Sequence, residues 1–269
     1  MRSKELFAGV FSRHAEAYNA RHALIRRSGA SRGRQRLLER LALRGGESVL
    51  DLCCGPGNLG AELLERCPNV RLVGADLAPG MLAVAAAALP SVDYVLADAE
   101  ALPFQARAFG AVACGHGLQF CPDLPAVLRE VGRVLSEGGV LAASVPHLGR
   151  SSDRAAQVLD HLLPPFPDTP DRAGTLAVVA DPDLFAQAAR DAGLAEANVE
   201  EVAGDVVWAT PREMFQQSFG WWSCAVRLEG VEPSRREALL DEAVAIFEAE
   251  NGSGPVAIPG SDLVLSARR

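Results

Sequence analysis

Hydrophobic and polar positions along the chain follow two periods that take turns. Residues 37–46, LLERLALRGG, carry apolar positions at helical spacing and close on Gly45 and Gly46, and the apolar run VLDLC at 49–53 is then too short for a helix. The same change of period recurs, predicting a helix over 58–66, a strand over 70–78, a helix from Pro79 to about Leu89 and a strand over 92–100. A fourth strand is predicted at 109–114, then a helix from Leu124 to Leu135, a turn at Glu137-Gly138-Gly139 and a fifth strand, VLAASVP, ending at Pro146. Strands separated by helices at this interval imply a parallel sheet covered on both faces.

After Pro146 the rhythm breaks. Residues 147–180 contain PPFPDTPD, which cannot run on as helix or central strand and reads as a surface insertion or lid. A helix is predicted over 182–192, a strand-like segment near 198–208, a helical stretch over 211–228 and a helix over 234–249. The last strand, within PVAIPGSDLVLSARR, is interrupted at Pro259-Gly260.

Composition narrows the class. With 269 residues, 49% hydrophobic and 22% charged, the chain reads as a folded globular protein and excludes disordered, collagen-like and disulfide-scaffold classes. The net charge of -8 argues against a nucleic acid as main partner, because such binding depends on neutralising phosphates. The charge is uneven: residues 1–44 hold eleven of the 26 basic and three of the 34 acidic residues. The patch around Arg21, Arg26, Arg27, Arg32, Arg34 and Arg36 reads first as a solvated helix face and second as a site for an anion. Six cysteines without a C-x-x-C pair or companion histidines predict no metal, reduced thiols and a cytoplasmic location. No apolar stretch suggests a signal peptide or a membrane span, although an Arg-rich start also suits a transit peptide. A monomer or homodimer is expected.

The turn Gly55-Pro56-Gly57-Asn58-Leu59-Gly60 lies between a predicted strand and helix. Small residues let the backbone approach a ligand there, and the helix N-terminus offers free N–H groups. Asp76 ends the second strand, where a carboxylate can accept hydrogen bonds from two ribose hydroxyls. NAD and S-adenosylmethionine could both use these features. Asp51 tips the balance, because a dinucleotide fingerprint has apolar residues at that strand end, whereas a carboxylate there faces the amino end of an amino-acid ligand. Asp98-Ala99 adds an acceptor for an adenine amino group beside a backbone donor for a ring nitrogen. Each acid alone could cap a helix or turn; at three successive strand ends they form one constellation.

VLDLCCGPGNLG, VGADLAPGML, ADAEALPF, HGLQFCPD and LREVGRVLSEGGVLAAS resemble successive motifs of the class I S-adenosylmethionine-dependent methyltransferases. Within them the pattern is similar to the ubiquinone/menaquinone-type C-methyltransferases and their small-molecule relatives, over residues 45–146. Residues 5–20 resemble that group's N-terminal helix, which makes a transit peptide unattractive and places Tyr18 near the cofactor. The resemblance implies an α/β fold: a Rossmann-like, doubly wound, mostly parallel seven-stranded sheet with helices on both faces and a helical cap. It implies one domain over 1–269, with an N-terminal helical cap at 1–44, a cofactor-binding core at 45–146, and cap insertions at 147–180 and 205–254 around an acceptor pocket. The implied cofactor is S-adenosylmethionine, with S-adenosylhomocysteine as product. Its implied contacts are Tyr18, Asp51, Cys53, Gly55, Gly57, Asp76, Leu77, Met81, Asp98, Ala99, Cys114 and Gly115. Two departures stand out: Cys53 where the commonest form has Gly, and Gln119 where many members have His.

Methyl transfer from a sulfonium is an in-line displacement, so the protein has to hold nucleophile, methyl and sulfur collinear in a dry pocket. A phenol or activated carbon can need a base, whereas a carboxylic acid needs none. His116, just past the fourth strand, is the leading base candidate, with a pocket-shaping role as the alternative. His14 ranks second; His22, His147 and His161 rank lower, and the thiols of Cys114 and Cys121 read as packing. The acceptor-pocket candidates are His116, Gln119, Phe166, Phe215, Phe219, Trp221 and Trp222, with core packing as the alternative for each aromatic. The expected activity is methylation of a small organic metabolite at O, C or N in specialised metabolism. The alternatives are quinone C-methylation and a fold that binds S-adenosylmethionine without using it, as a cyclase or scaffold.

Overall fold

The computed structural model describes residues 3–27, 32–147, 154–166 and 171–269. Residues 148–153 and 167–170 of the predicted insertion, and the side chains of Arg26 and Arg27 in the basic patch, lie outside the described part. Three helices come first: α1 (Ser3–Arg13), α2 (Ala15–Arg27) and α3 (Arg32–Leu41). The strands are β1 (Ser48–Leu52), β2 (Arg71–Asp76), β3 (Asp93–Leu96), β4 (Phe109–Gly115), β5 (Leu135–Pro146), β6 (Ala195–Ala203), β7 (Val206–Trp208), β8 (Val256–Ile258) and β9 (Ser261–Arg268).

Seven strands form one sheet in the order β3-β2-β1-β4-β5-β9-β6. Pairing is parallel from β3 through β5, and β9 runs antiparallel between β5 and β6. Chain order reverses between β1 and β4, so the loops after these strands diverge and leave a crevice at their carboxyl ends. The predicted turn at 137–139 lies within β5, as an irregularity where pairing with β4 jumps from Leu135 to Val140.

Helices α4 (Asn58–Arg66), α5 (Pro79–Ala88), α6 (Leu124–Val134), α8 (Ala173–Val179) and α9 (Pro182–Asp191) cover the sheet together with α3, while α7 (Arg154–Leu162) belongs to the cap. Local chemistry starts two of them: the Asp123 carboxylate accepts from the Ala126 N–H ahead of α6, and Asp181 accepts from Asp183 and Leu184 ahead of α9. Leu50, Val112, Leu128, Phe185 and Leu265 fill one face, and Leu37, Val49, Leu63 and Val264 the other. Part of the predicted insertion joins this body, since Val179 of α8 packs into the sheet core.

The cap has its own core. Here α7 packs with α10 (Pro211–Phe219), α11 (Trp222–Arg227), α12 (Pro233–Asn251) and the β7–β8 pair around Leu159, Phe215, Leu240 and Phe247. Two expectations change. The predicted 211–228 helix breaks at Gly220-Trp221, and the 198–208 strand divides, because the Gly204 N–H turns to the Gly260 carbonyl and sends β7 into the cap.

Candidate active site

At the carboxyl ends of β1, β2 and β4 lies an open pocket. It is lined from below by Asp51, Cys53, Gly55, Asp76, Leu77, Asp98, Ala99, Gly115 and His116, and by Lys4, Phe7, Phe11, Tyr18, His22 and Arg34 of the N-terminal helices. Met81 of α5 also lines it, whereas Gly57 and Cys114 do not.

The three acids stand in different states. Asp51 is 2% exposed, and its Oδ1 has no hydrogen-bond partner among the described residues. Burial pushes its pKa up to about 7 against the pull of Arg34. Asp76 is locked by two backbone donors at 2.8 Å, the Gly55 N–H on Oδ2 and the Ala78 N–H on Oδ1, and burial pushes it up to about 7 as well. Asp98 accepts from the Glu100 N–H at 3.0 Å and is salt-bridged to Lys4, whose Nζ also lies 2.8 Å from Glu100 Oε2.

The glycine turn shows why small residues occur there. Gly55 has φ +54° with open space where a side chain would stand, and Gly57 has φ +82°. Cys53, at the position where glycine is commoner, also sits in left-handed backbone at φ 54°. Its thiol is held well below the usual range by hydrogen bonds with Cys114 and then Cys121, both of which are pushed up in turn.

A buried carboxylate oxygen without a donor costs free energy until a ligand supplies one. The residues present therefore fit a ligand with an ammonium group near Asp51, hydroxyls near Asp76 and an exocyclic amine near Asp98. S-adenosylmethionine has these three groups. Tyr18 lines the pocket with its ring stacked on Trp221 at 5.6 Å and 4.4 Å from the His22 ring, and burial pushes its hydroxyl up to about 12. His22 accepts from Arg34 at Nδ1, 3.1 Å, and burial lowers its pKa well below the usual value.

His116 lines the pocket with φ 56°, and its Nε2 lies 2.9 Å from Asp262 Oδ1. Gln119 is buried and donates from Nε2 to the His116 carbonyl at 2.8 Å. His14 stands outside the lining, 2.9 Å from Glu229. Trp222 packs behind the pocket rings, at 5.3 Å from Phe7, 6.4 Å from Phe11 and 5.7 Å from Phe120, and Phe166 lies 5.7 Å from Trp222. Phe215 is not brought to the pocket: it is fully buried 5.7 Å from Phe247, because the apolar face of α10 packs on α12. Phe219 packs on that same cap core.

Sequence reasoning missed Lys4, Phe7, Phe11 and Asp262, and it named Arg34 only as part of the basic patch. For the first three a signal existed, since Lys4, Phe7, Ala8 and Phe11 share one face at helical spacing. Among the described residues no group of His, Cys, Asp and Glu is arranged to hold a metal, and no helix is long and apolar enough to cross a membrane.

Residues 49–139 match a family model described as a methyltransferase domain. The chain is 35% identical over 181 residues to trans-aconitate 2-methyltransferase of an Azoarcus species, covering 65% of this chain and 70% of that enzyme. It is 32% identical over 143 residues to demethylmenaquinone methyltransferase of Lactococcus lactis, covering 51% of this chain and 57% of that enzyme, a little over half its length. Among solved structures, phosphoethanolamine N-methyltransferase 2 of Haemonchus contortus, in complex with phosphomonomethylethanolamine and S-adenosylhomocysteine, aligns with a TM-score of 0.56 at 16% identity. That alignment covers 88% of this chain and 52% of the other, and it shows a shared fold.

Proposed function

The chain belongs to the class I S-adenosylmethionine-dependent methyltransferases of small molecules, and on that footing we propose that it methylates an O, C or N atom of a small organic metabolite in specialised metabolism. The observation that carries the reading is the convergence of Asp51, Asp76 and Asp98 with Gly55 on one pocket that Phe7, Phe11 and Phe120 also line. When bound, the cofactor supplies an electrophilic methyl group on a sulfonium. Asp51 meets its ammonium group, Asp76 keeps lone pairs for the ribose hydroxyls, and Asp98 with the Ala99 N–H meets the adenine. Tyr18 closes the amino-acid end, and the phenylalanine rings exclude water from the transfer path. His116 stands as the base for acceptors that need one. Helices α1 and α2 stand over the acceptor space, with Trp221 and Trp222 buttressing the rings.

Six free cysteines support a reducing, cytoplasmic setting, and the acidic body supports a small-molecule acceptor over a nucleic acid, for a monomer or homodimer. The similarity to the Lactococcus enzyme favours one second reading, quinone C-methylation. Accumulation of an unmethylated quinone in a deletion strain would establish it. The test of the main reading is S-adenosylhomocysteine release with a panel of phenols, enols, amines and carboxylic acids. Acceptor-dependent release supports methylation; tight S-adenosylmethionine binding with no turnover supports a scaffold or cyclase instead.

A further inference from the structure

His116 and Asp262 lie 146 positions apart and meet beside the pocket, Nε2 at 2.9 Å from Oδ1. Because β9 runs antiparallel to β5, its first residues arrive at the carboxyl end of the sheet, where Asp262 pairs in register with Pro146. The approach of α3 is equally specific. A Cβ on Gly33, in the first turn of α3, would fall 2.0 Å from Asp262 Oδ2, so a side chain at position 33 would displace the carboxylate.

His116 is itself over-determined. Its left-handed backbone, at φ 56°, is strained for a non-glycine residue, and the surroundings hold it there. Its N–H donates to the Ser144 carbonyl at 2.8 Å, and its carbonyl accepts from Gln119 Nε2 at 2.8 Å. His116 lines the pocket and Asp262 does not, so the pair joins a pocket residue to a carboxylate outside the lining. A carboxylate accepting from Nε2–H fixes the tautomer and leaves the lone pair on Nδ1.

We propose that Asp262 is the positioning residue that makes His116 a base, and that the pair selects acceptors whose nucleophilic oxygen carries a removable proton, a phenol or enol hydroxyl on a flat ring. The proposal rests on the methyltransferase reading of the same site. A carboxylic acid is already ionised at neutral pH and gains nothing from a base, whereas a phenol, with a pKa of about 10, does. The neighbouring surface suits a flat ring: Phe120, four residues after His116, lies edge-on to Phe7 at 5.2 Å and to Phe11 at 5.1 Å. In the step, the acceptor O–H proton passes to His116 Nδ1 while the oxygen bonds the methyl carbon. The carbon–sulfur bond breaks with its electron pair going to sulfur, and the imidazolium, paired with Asp262, then gives its proton to water.

The test combines a spectroscopic and a kinetic readout. Histidine-15N-labelled protein, with the His116 signals assigned by their loss in His116→Gln, is compared with Asp262→Asn by long-range proton–nitrogen NMR. The expected wild-type state is Nε2-protonated; in Asp262→Asn the new amide can donate to Nε2, and the Nδ1-protonated form takes over. Both proteins are then given S-adenosylmethionine with paired acceptors, ring-hydroxyl compounds and carboxylic acids lacking that hydroxyl. The ring-hydroxyl compounds are methylated and the acids are not, and kcat falls about 100-fold or more in Asp262→Asn with the KM for S-adenosylmethionine within about twofold. Gly33→Ala, which displaces Asp262 without removing it, reproduces part of the loss. An Nδ1-protonated wild-type His116, an unchanged kcat in Asp262→Asn, or turnover of the carboxylic acids alone overturns the proposal. Failure of the underlying reading shows differently, as wild-type protein that binds no S-adenosylmethionine.

Discussion

Lys4 of α1 is salt-bridged to Asp98 beyond the end of β3, 94 positions further along the chain. It is the one lysine in the sequence, and it takes an oxygen of the carboxylate assigned to the adenine. A partly exposed ion pair of this kind contributes up to about 1 kcal/mol. Lys4→Met is therefore expected to tighten S-adenosylmethionine binding by up to about fivefold, measured by calorimetry. Weaker binding in that variant would mean that Lys4 helps to hold the cofactor.

Asp76 ties the Gly55 loop to β2 while keeping acceptor capacity for hydroxyls. Asp76→Ala is expected to weaken S-adenosylmethionine binding by about 1.5–3 kcal/mol, the scale of lost charge-assisted hydrogen bonds. Unchanged affinity would place the ribose elsewhere.

Asp51 and Asp76 are both pushed up to about 7 by burial. Over the range from about pH 4 to about pH 7 the folded protein holds protons that the unfolded chain has shed. Without ligand, these two groups make stability fall as pH rises through that range and level off above it. Glu200, held at about 2 by Arg40 and Arg36, acts in the opposite direction from about pH 2 to about pH 4.5, and His22, which burial lowers, also opposes the two carboxyls below about pH 6.5, so the comparison of variants carries the test. A ligand ammonium favours ionised Asp51, so affinity rises from about pH 6 to about pH 8 and binding releases protons, visible as heats that depend on the buffer. Thermal melts of wild type and Asp51→Asn, compared across pH, isolate the share of Asp51; identical slopes would remove it from the titration.

Phe215 tests the division between cap core and pocket. Phe215→Ala is expected to destabilise the protein by about 3–5 kcal/mol in denaturant unfolding. Cofactor affinity of the folded fraction should stay within about twofold of wild type, since the ring does not line the pocket. A selective loss of ligand binding with normal stability would return Phe215 to the site.

The strands β1 to β5 were legible because alternating periods are local, although β3 ends at Leu96, before the predicted 100, and β5 starts at Leu135, before the predicted 140. Asp51, Asp76 and Asp98 were legible for a related reason: each acid stands beside its own strand end and turn. Lys4 and Asp262 were hidden, because nothing local in sequence tells which distant strand end a helix face or an antiparallel strand start will meet. Phe215 was placed with Trp221 and Trp222 on one predicted helix over 211–228. The break at Gly220 re-aims the chain between them, so the two tryptophans pack toward α1 and α2 while Phe215 stays with α12.

The central claim is that the pocket beneath the N-terminal helices binds an adenosyl amino acid. Calorimetric titration of the wild-type protein with S-adenosylmethionine, S-adenosylhomocysteine and NAD tests it most directly. Micromolar binding of the two adenosyl ligands, with none of NAD, is the predicted result; binding of NAD alone, or of none of the three, would contradict it.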